Sequence, residues 1–144
     1  MMNAKDFLRQ LEKLDRMIEN KIIEKQQWKA IAMGTSSHSD GERVQSSGRQ
    51  QKMADAIDKY IDIEAEIDNC IDTLVDTKKE VISVIEQLNT TEYDILHKVY
   101  VQYKTLYEVA DIYGNSYSWV TTVHGRALKN VQGILDRKKG DVHE

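Results

Sequence analysis

Apolar residues recur along this 144-residue chain at steps of three and four, and no proline interrupts them. Steps of that size put side chains on one face of a helix, and proline is the residue that would break it. No alternating run of β-branched residues bounded by turn signals competes with the pattern. An all-α protein is the expectation. Charged residues at 31% against 40% hydrophobic favour exposed helix faces over a bulky core.

Two long patterns fill the first half. Over residues 3–33, Phe7, Leu11, Leu14, Ile18 and Ile22 form one stripe, continued by Trp28, Ile31 and Ala32. Over residues 49–88, Met53, Ile57, Tyr60, Ile67, Ile71, Leu74, Val81, Ile85 and Leu88 form another, widened by Ile63, Cys70 and Val84. Between them the Gly-, Ser- and Asp-rich segment 34–48 has almost nothing to bury and reads as a connector. At about 1.5 Å per residue the two helices would be roughly 45 and 60 Å long. Neither is stable alone, because an isolated amphipathic helix leaves its stripe wet. They can pair as a hairpin within the chain or as a coiled coil with a second copy, so a homo-oligomer is expected on the second arrangement. The division read from the sequence is a helical region 1–87, a domain over 88–139 and a tail over 140–144.

The net charge of −4 hides an asymmetry. Residues 55–86 carry ten carboxylates and three lysines, whereas residues 114–139 carry five Lys/Arg and one Asp. The acidic helix is repelled by phosphate and fits a spacer, a dimerisation element or a partner surface. Carboxylates such as Asp58, Asp62 and Glu66 fit a solvated face, with no His nearby to make a metal site. The lone Cys70 has no partner for a disulfide or a metal. No stretch of 18 apolar residues spans a membrane, and Lys5, Asp6 and Arg9 break any leader-like apolar run. A cytoplasmic protein is expected.

The most informative stretch is Leu106 to Gly125. Two helices that cross closely need a small residue at the contact, and Ala110 supplies it. Four residues on, Gly114 permits the left-handed backbone of a sharp turn. Val120 and Val123 stand where the second helix must bury apolar side chains, and Val109 and Tyr113 complete the inner face of the first. Ser116 can cap the second helix. Upstream, Thr90 or Thr91 can cap a helix that carries Glu92 in its first turn and buries Tyr93, Leu96, Val99, Tyr100 and Tyr103. The helices expected next are Leu106–Tyr113 and about Tyr117–Lys138.

Residues 88–131 resemble the fourth region of bacterial sigma factors and the phage regulators that share its fold. Leu88-Asn89-Thr90-Thr91-Glu92 is similar to that module's opening, and Ile95, Leu96 and Tyr100 to its first buried helix. Thr105-Leu106 with Glu108-Val109-Ala110 is similar to its Thr-Leu-x-Glu-Ile-Ala step, and Arg126-Ala127-Leu128 to its close. The layout as a whole resembles phage late-gene transcriptional regulators of the RinA and ArpU type. The resemblance implies a four-helix helix-turn-helix domain over 88–139 that binds double-stranded DNA, in a protein that regulates transcription, as an activator of phage late genes. It also implies possible contact with host RNA polymerase, and the alternative is a factor that docks on the polymerase without reading DNA. Two departures stand out. Asn115 replaces the usual Val or Ile, and Tyr117, Ser118, Thr121 and Thr122 replace the Arg, Glu and Gln usual on the reading helix.

In such a module the second helix enters the major groove. Ser116, Tyr117, Ser118, Thr121 and Thr122 then face base edges or nearby phosphates, with Arg126, Lys129, Lys104 and Thr105 on the backbone. Trp119 is expected to pack on the first helix of the pair, while Tyr117 stays open between packing and DNA. His124 reads as a surface histidine, and Arg137, Lys138 and Lys139 as a solvated helix end. No glycine-rich phosphate loop, Ser/His/Asp arrangement or Cys/His set points to an enzyme or a cofactor.

Overall fold

The computed structural model describes residues 2–34 and 47–142. Among them are five α-helices and no strand: α1 (Ala4–Ala32), α2 (Ser47–Ile85), α3 (Thr90–Leu96), α4 (Leu106–Tyr113) and α5 (Tyr117–Val142). A π-helical turn, His97–Val101, follows α3. Most of the connector expected at 34–48 lies outside the described residues, and α2 has begun by Ser47. The chain divides into two compact units, one of residues up to 13 with those from 74 on, the other of residues 14–73. Packing thus groups the first turns of α1 with the C-terminal helices, a division different from the 1–87 and 88–139 read along the sequence.

In the 14–73 unit the helices pair antiparallel within the chain. Cys70 Sγ lies 4.0 Å from Met17 Sδ, Lys21 lies 3.5 Å from Glu66, and Lys25 lies 3.5 Å from Glu64. Partners descend along α2 as they ascend along α1. Ile18, Ala56, Ile63 and Ile67 are buried between them. Ile22, Ile57 and Ile71, members of the same stripes, stay 41%, 47% and 42% exposed. One partner helix covers only part of a stripe this wide.

In the other unit the long inner face of α5 organises the packing. Val120 and Val123, near its start, pack with Ile95, Val109 and Ala110. Ala127, Val131 and Ile134, further along, pack with Ala4, Phe7, Leu8 and Leu11 of α1, Val81, Val84 and Ile85 of α2, and Leu96 and Tyr100. Helix α4 covers only the first turns of α5; Leu96 of α3 and Tyr100 reach further along it, and the ends of the long helices complete the cover. The Ala4 backbone N–H donates to Gln132 Oε1 of α5 at 2.8 Å.

Local details differ from expectation in three places. Asn89, not Thr90 or Thr91, caps α3: its side chain accepts from the Glu92 N–H at 2.9 Å. The asparagine oxygen reaches the N–H of the third helical residue, the bond an N-cap side chain makes. The helix expected to continue to Tyr103 widens into the π turn and ends with Tyr103 in the left-handed region, at φ 60°. From residue 88 on there are three α-helices and a π turn where four helices are expected, and α5 runs unbroken into the segment 140–142 expected as tail.

The role of α1 in this core is testable. Leu8 is fully buried, so Leu8→Ala should cost about 2–5 kcal/mol. Ile23→Ala, at an exposed position of the same helix, should change stability by less than about 0.5 kcal/mol. Urea unfolding followed by tryptophan fluorescence measures both.

Candidate nucleic-acid interface

The pair α4–α5 is set by three local devices. At the start of α4, Thr105 and Glu108 form a reciprocal capping box: Glu108 N–H donates to Thr105 Oγ1 at 3.1 Å, and Thr105 N–H to the Glu108 carboxylate at 3.0 Å. Those hydrogen bonds hold the Glu108 carboxyl below its ordinary range. At the end of α4, Gly114 takes φ 63°, ψ 35°, and the Gly114 and Asn115 N–H groups close on the carbonyls of Asp111 and Ala110. A side chain at this backbone angle is strained, which glycine avoids. At the start of α5, the Ser116 hydroxyl accepts from Trp119 N–H at 3.0 Å, as the sequence predicts of a cap.

Polar links fix α3 against this pair. The Tyr113 hydroxyl donates to the Asp94 carboxylate, which also pairs with Lys98 at 2.7 Å. Burial tends to raise the Asp94 pKa, but the Lys98 and Tyr113 hydrogen bonds outweigh it and hold the carboxyl below its usual value. Tyr113 is pushed up to about 12, by burial and then by the Asp94 carboxylate. Glu92, only 2% exposed, accepts from Asn130 Nδ2 at 2.8 Å.

Along α5 the buried Val120, Val123, Ala127 and Val131 define one face, and Ser118, Thr122, Gly125 and Lys129 follow the opposite one at steps of three and four. All four of these outer residues are exposed. Thr121 is half-buried at the edge of this face, and Arg126 is exposed at its other edge. The hydroxyls of Thr121 and Thr122 both donate to the Ser118 carbonyl, each at 2.9 Å. Their donors are thus taken by the helix, which leaves each hydroxyl oxygen as an acceptor beside a methyl group. The Ser116 hydroxyl is engaged in its cap. Tyr117 stacks on Tyr107 of α4, ring centroids 4.2 Å apart and planes 11° from parallel. Both rings stay open to solvent, 41% and 66% exposed. Trp119 packs against Tyr113, as expected, at 5.4 Å.

Two of the expected backbone-binding residues, Lys104 and Thr105, line one cleft with Lys5 and Arg9 of α1 and with Tyr100 and His124. Lys129 is set apart, in a shallow depression with Asn89, Glu92 and Arg137. His124 is not the surface residue expected. It is half-buried, stacked on Tyr100 and hydrogen-bonded to its hydroxyl at 2.8 Å. Burial, then the charges of Lys5 and Arg9, hold the His124 pKa below the ordinary value. The sequence reading missed Tyr107, Lys5 and Arg9. For Tyr107 the helical register was available, since it stands beside the capped start of α4. For Lys5 and Arg9 no signal existed, because they lie a hundred residues from the motif.

The chain matches no family model, no curated protein and no solved structure. The site therefore rests on its own geometry.

The Tyr113–Asp94 bond makes a prediction with a defined sign. A phenol whose pKa is raised by folding contributes stability that is present below its unfolded value of 10 and lost as pH rises through about 12. Asp94, lowered from 3.8, contributes above that value and loses its share in acid. Tyr113→Phe should therefore cost about 1 kcal/mol between pH 5 and 9, given the partial exposure of the pair. In urea titrations the gap between wild type and variant should close as pH rises from 10 toward 12.

Proposed function

We propose that this protein is a DNA-binding transcriptional regulator, with α4 and α5 acting as a helix-turn-helix of the sigma-region-4 type and the start of α5 entering the major groove. The observation that carries this reading is the geometry of α5. A left-handed Gly114 turn and a Ser116 cap precede it, its inner face is closed by Val120 and Val123, and its outer face offers Ser118, Thr122 and Gly125 without large side chains. A face this smooth allows close approach to base edges.

On this reading Thr121 and Thr122 act as acceptors with methyl groups. They suit the amino groups of adenine and cytosine and the methyl of thymine. Tyr117 and Tyr107 form an aromatic pair beside the groove. Arg126, Lys129, Lys104 and Thr105 hold phosphates. Late-gene activation in a phage is the regulatory setting that the resemblance of the whole layout supports, and contact with host RNA polymerase the one that the resemblance of residues 88–131 supports.

The +4 charge of residues 114–139 is modest, so one copy is a weak binder and two linked copies bind far more tightly. A second copy is the partner we infer, docking on the isoleucines left exposed in the 14–73 unit, Ile57 and Ile61 among them. Sedimentation equilibrium should find a dimer at micromolar concentration, and Ile57→Glu with Ile61→Glu should return it to monomer. A monomeric wild type removes the dimer from this proposal.

Titration of labelled duplexes tests the main reading. Binding should be strongest near 50 mM salt and fall steeply by 200 mM, as phosphate contacts require. Thr121→Ala with Thr122→Ala should narrow the difference between preferred and random duplexes, whereas Arg126→Ala should weaken all duplexes alike. No affinity for any duplex at low salt would overturn DNA binding and favour the polymerase-docking alternative.

A further inference from the structure

Lys5 and Arg9 stand one helical turn apart on α1, and both line a cleft of about 300 Å³ with Lys104 and Thr105 at the start of α4. Tyr100, Tyr103 and His124 form its walls, and Glu12 contributes one carboxylate. Three cations face that single carboxylate. Burial and then the Lys5 and Arg9 charges lower the His124 pKa, so the imidazole is not counted among these cations. The cations are on a fixed support, because Ala4, Phe7, Leu8 and Leu11 of the same turns are buried in the core that holds α5. The cleft also adjoins the reading end of the module. Thr105 is the cap of α4, and Tyr107, two residues on, stacks against Tyr117 at the start of α5.

We infer that Lys5 and Arg9, together with Lys104, hold a backbone phosphate of duplex DNA in this cleft, so that the N-terminal helix is part of the DNA-binding surface. The inference rests on the DNA-binding reading above and adds a phosphate anchor to it. The chemistry favours phosphate over a base. The cleft offers cations and hydroxyl groups around a small open volume, and it lies beside the groove-entering helix instead of on its outer face. Phosphate contacts fix register and carry no sequence information. These two side chains therefore contribute to affinity on every duplex and not to choice among them.

The test is a salt titration of the full chain carrying Lys5→Ala with Arg9→Ala, on a preferred and a random duplex. Each phosphate no longer neutralised removes about 0.9 from the slope of log affinity against log salt, so losing this one anchor should flatten it by up to about 1. Affinity near 100 mM salt should fall roughly tenfold or more on both duplexes, with their ratio unchanged. Lys5→Arg with Arg9→Lys should restore most of the slope, and Lys29→Ala, at an exposed position in the 14–73 unit, should leave it alone. Both side chains of the test pair are exposed, so the urea midpoint should match wild type and exclude unfolding as the cause. A wild type that binds duplex DNA while the double variant keeps its affinity and slope overturns the anchor alone. A wild type that binds no duplex overturns the DNA reading and the anchor with it.

Discussion

The inner face of α5 is longer than its immediate neighbours can cover, and the rest of the fold answers that mismatch. Val120 and Val123 are closed off by Ile95, Val109 and Ala110, all from the adjoining short helices. Ala127, Val131 and Ile134 meet Leu96 and Tyr100 as well, but most of their cover is Phe7, Leu8 and Leu11 of α1 and Val81, Val84 and Ile85 of α2. Burying aliphatic side chains of this size is worth about 1.5–3 kcal/mol each, so this second cluster is a large share of what holds the helices together. It also gives the two ends of α1 different roles. Its first turns are core, whatever its later turns do.

Around that apolar frame, a few polar pairs fix angles. Asp94 ties α3 to α4 through Tyr113, Glu92 ties α3 to α5 through Asn130, and Tyr100 ties the π turn to α5 through His124. No buried side-chain polar atom among the described residues lacks a partner. The π turn has a cost at its exit, where Tyr103 adopts a left-handed backbone, a conformation that costs a non-glycine residue about 1–2 kcal/mol. That strained residue lies immediately before Lys104 and Thr105, in the wall of the cationic cleft.

The 14–73 unit is built differently. Its contacts are a narrow seam of Ile18, Ala56, Ile63 and Ile67 flanked by exposed ion pairs, Lys21–Glu66 and Lys25–Glu64. Exposed pairs of that kind contribute at most about 1 kcal/mol each, so they set register more than stability. The acidic surface of α2 and its uncovered isoleucines then give this part of the chain a character unlike the mixed face of α5.

Periodicity alone determined that the chain is helical and where its two long helices run, because the 3.6-residue repeat is a local property that no distant contact overrides here. The α4–turn–α5 geometry was legible for the same reason: Ala110, Gly114, Ser116, Val120 and Val123 act within a dozen or so residues of one another. Local chemistry was less decisive at the start of α3, where three adjacent residues could cap and Asn89 does. Only the tertiary structure decided that the long helices pair within one chain, that Leu8 shares a core with Val131, that His124 is half-buried against Tyr100, and that Lys5 and Arg9 join Lys104. An amphipathic stripe states that a face must be covered and is silent about what covers it. The residues that meet across such faces are set by which helix ends can reach one another, and no spacing in the sequence records that.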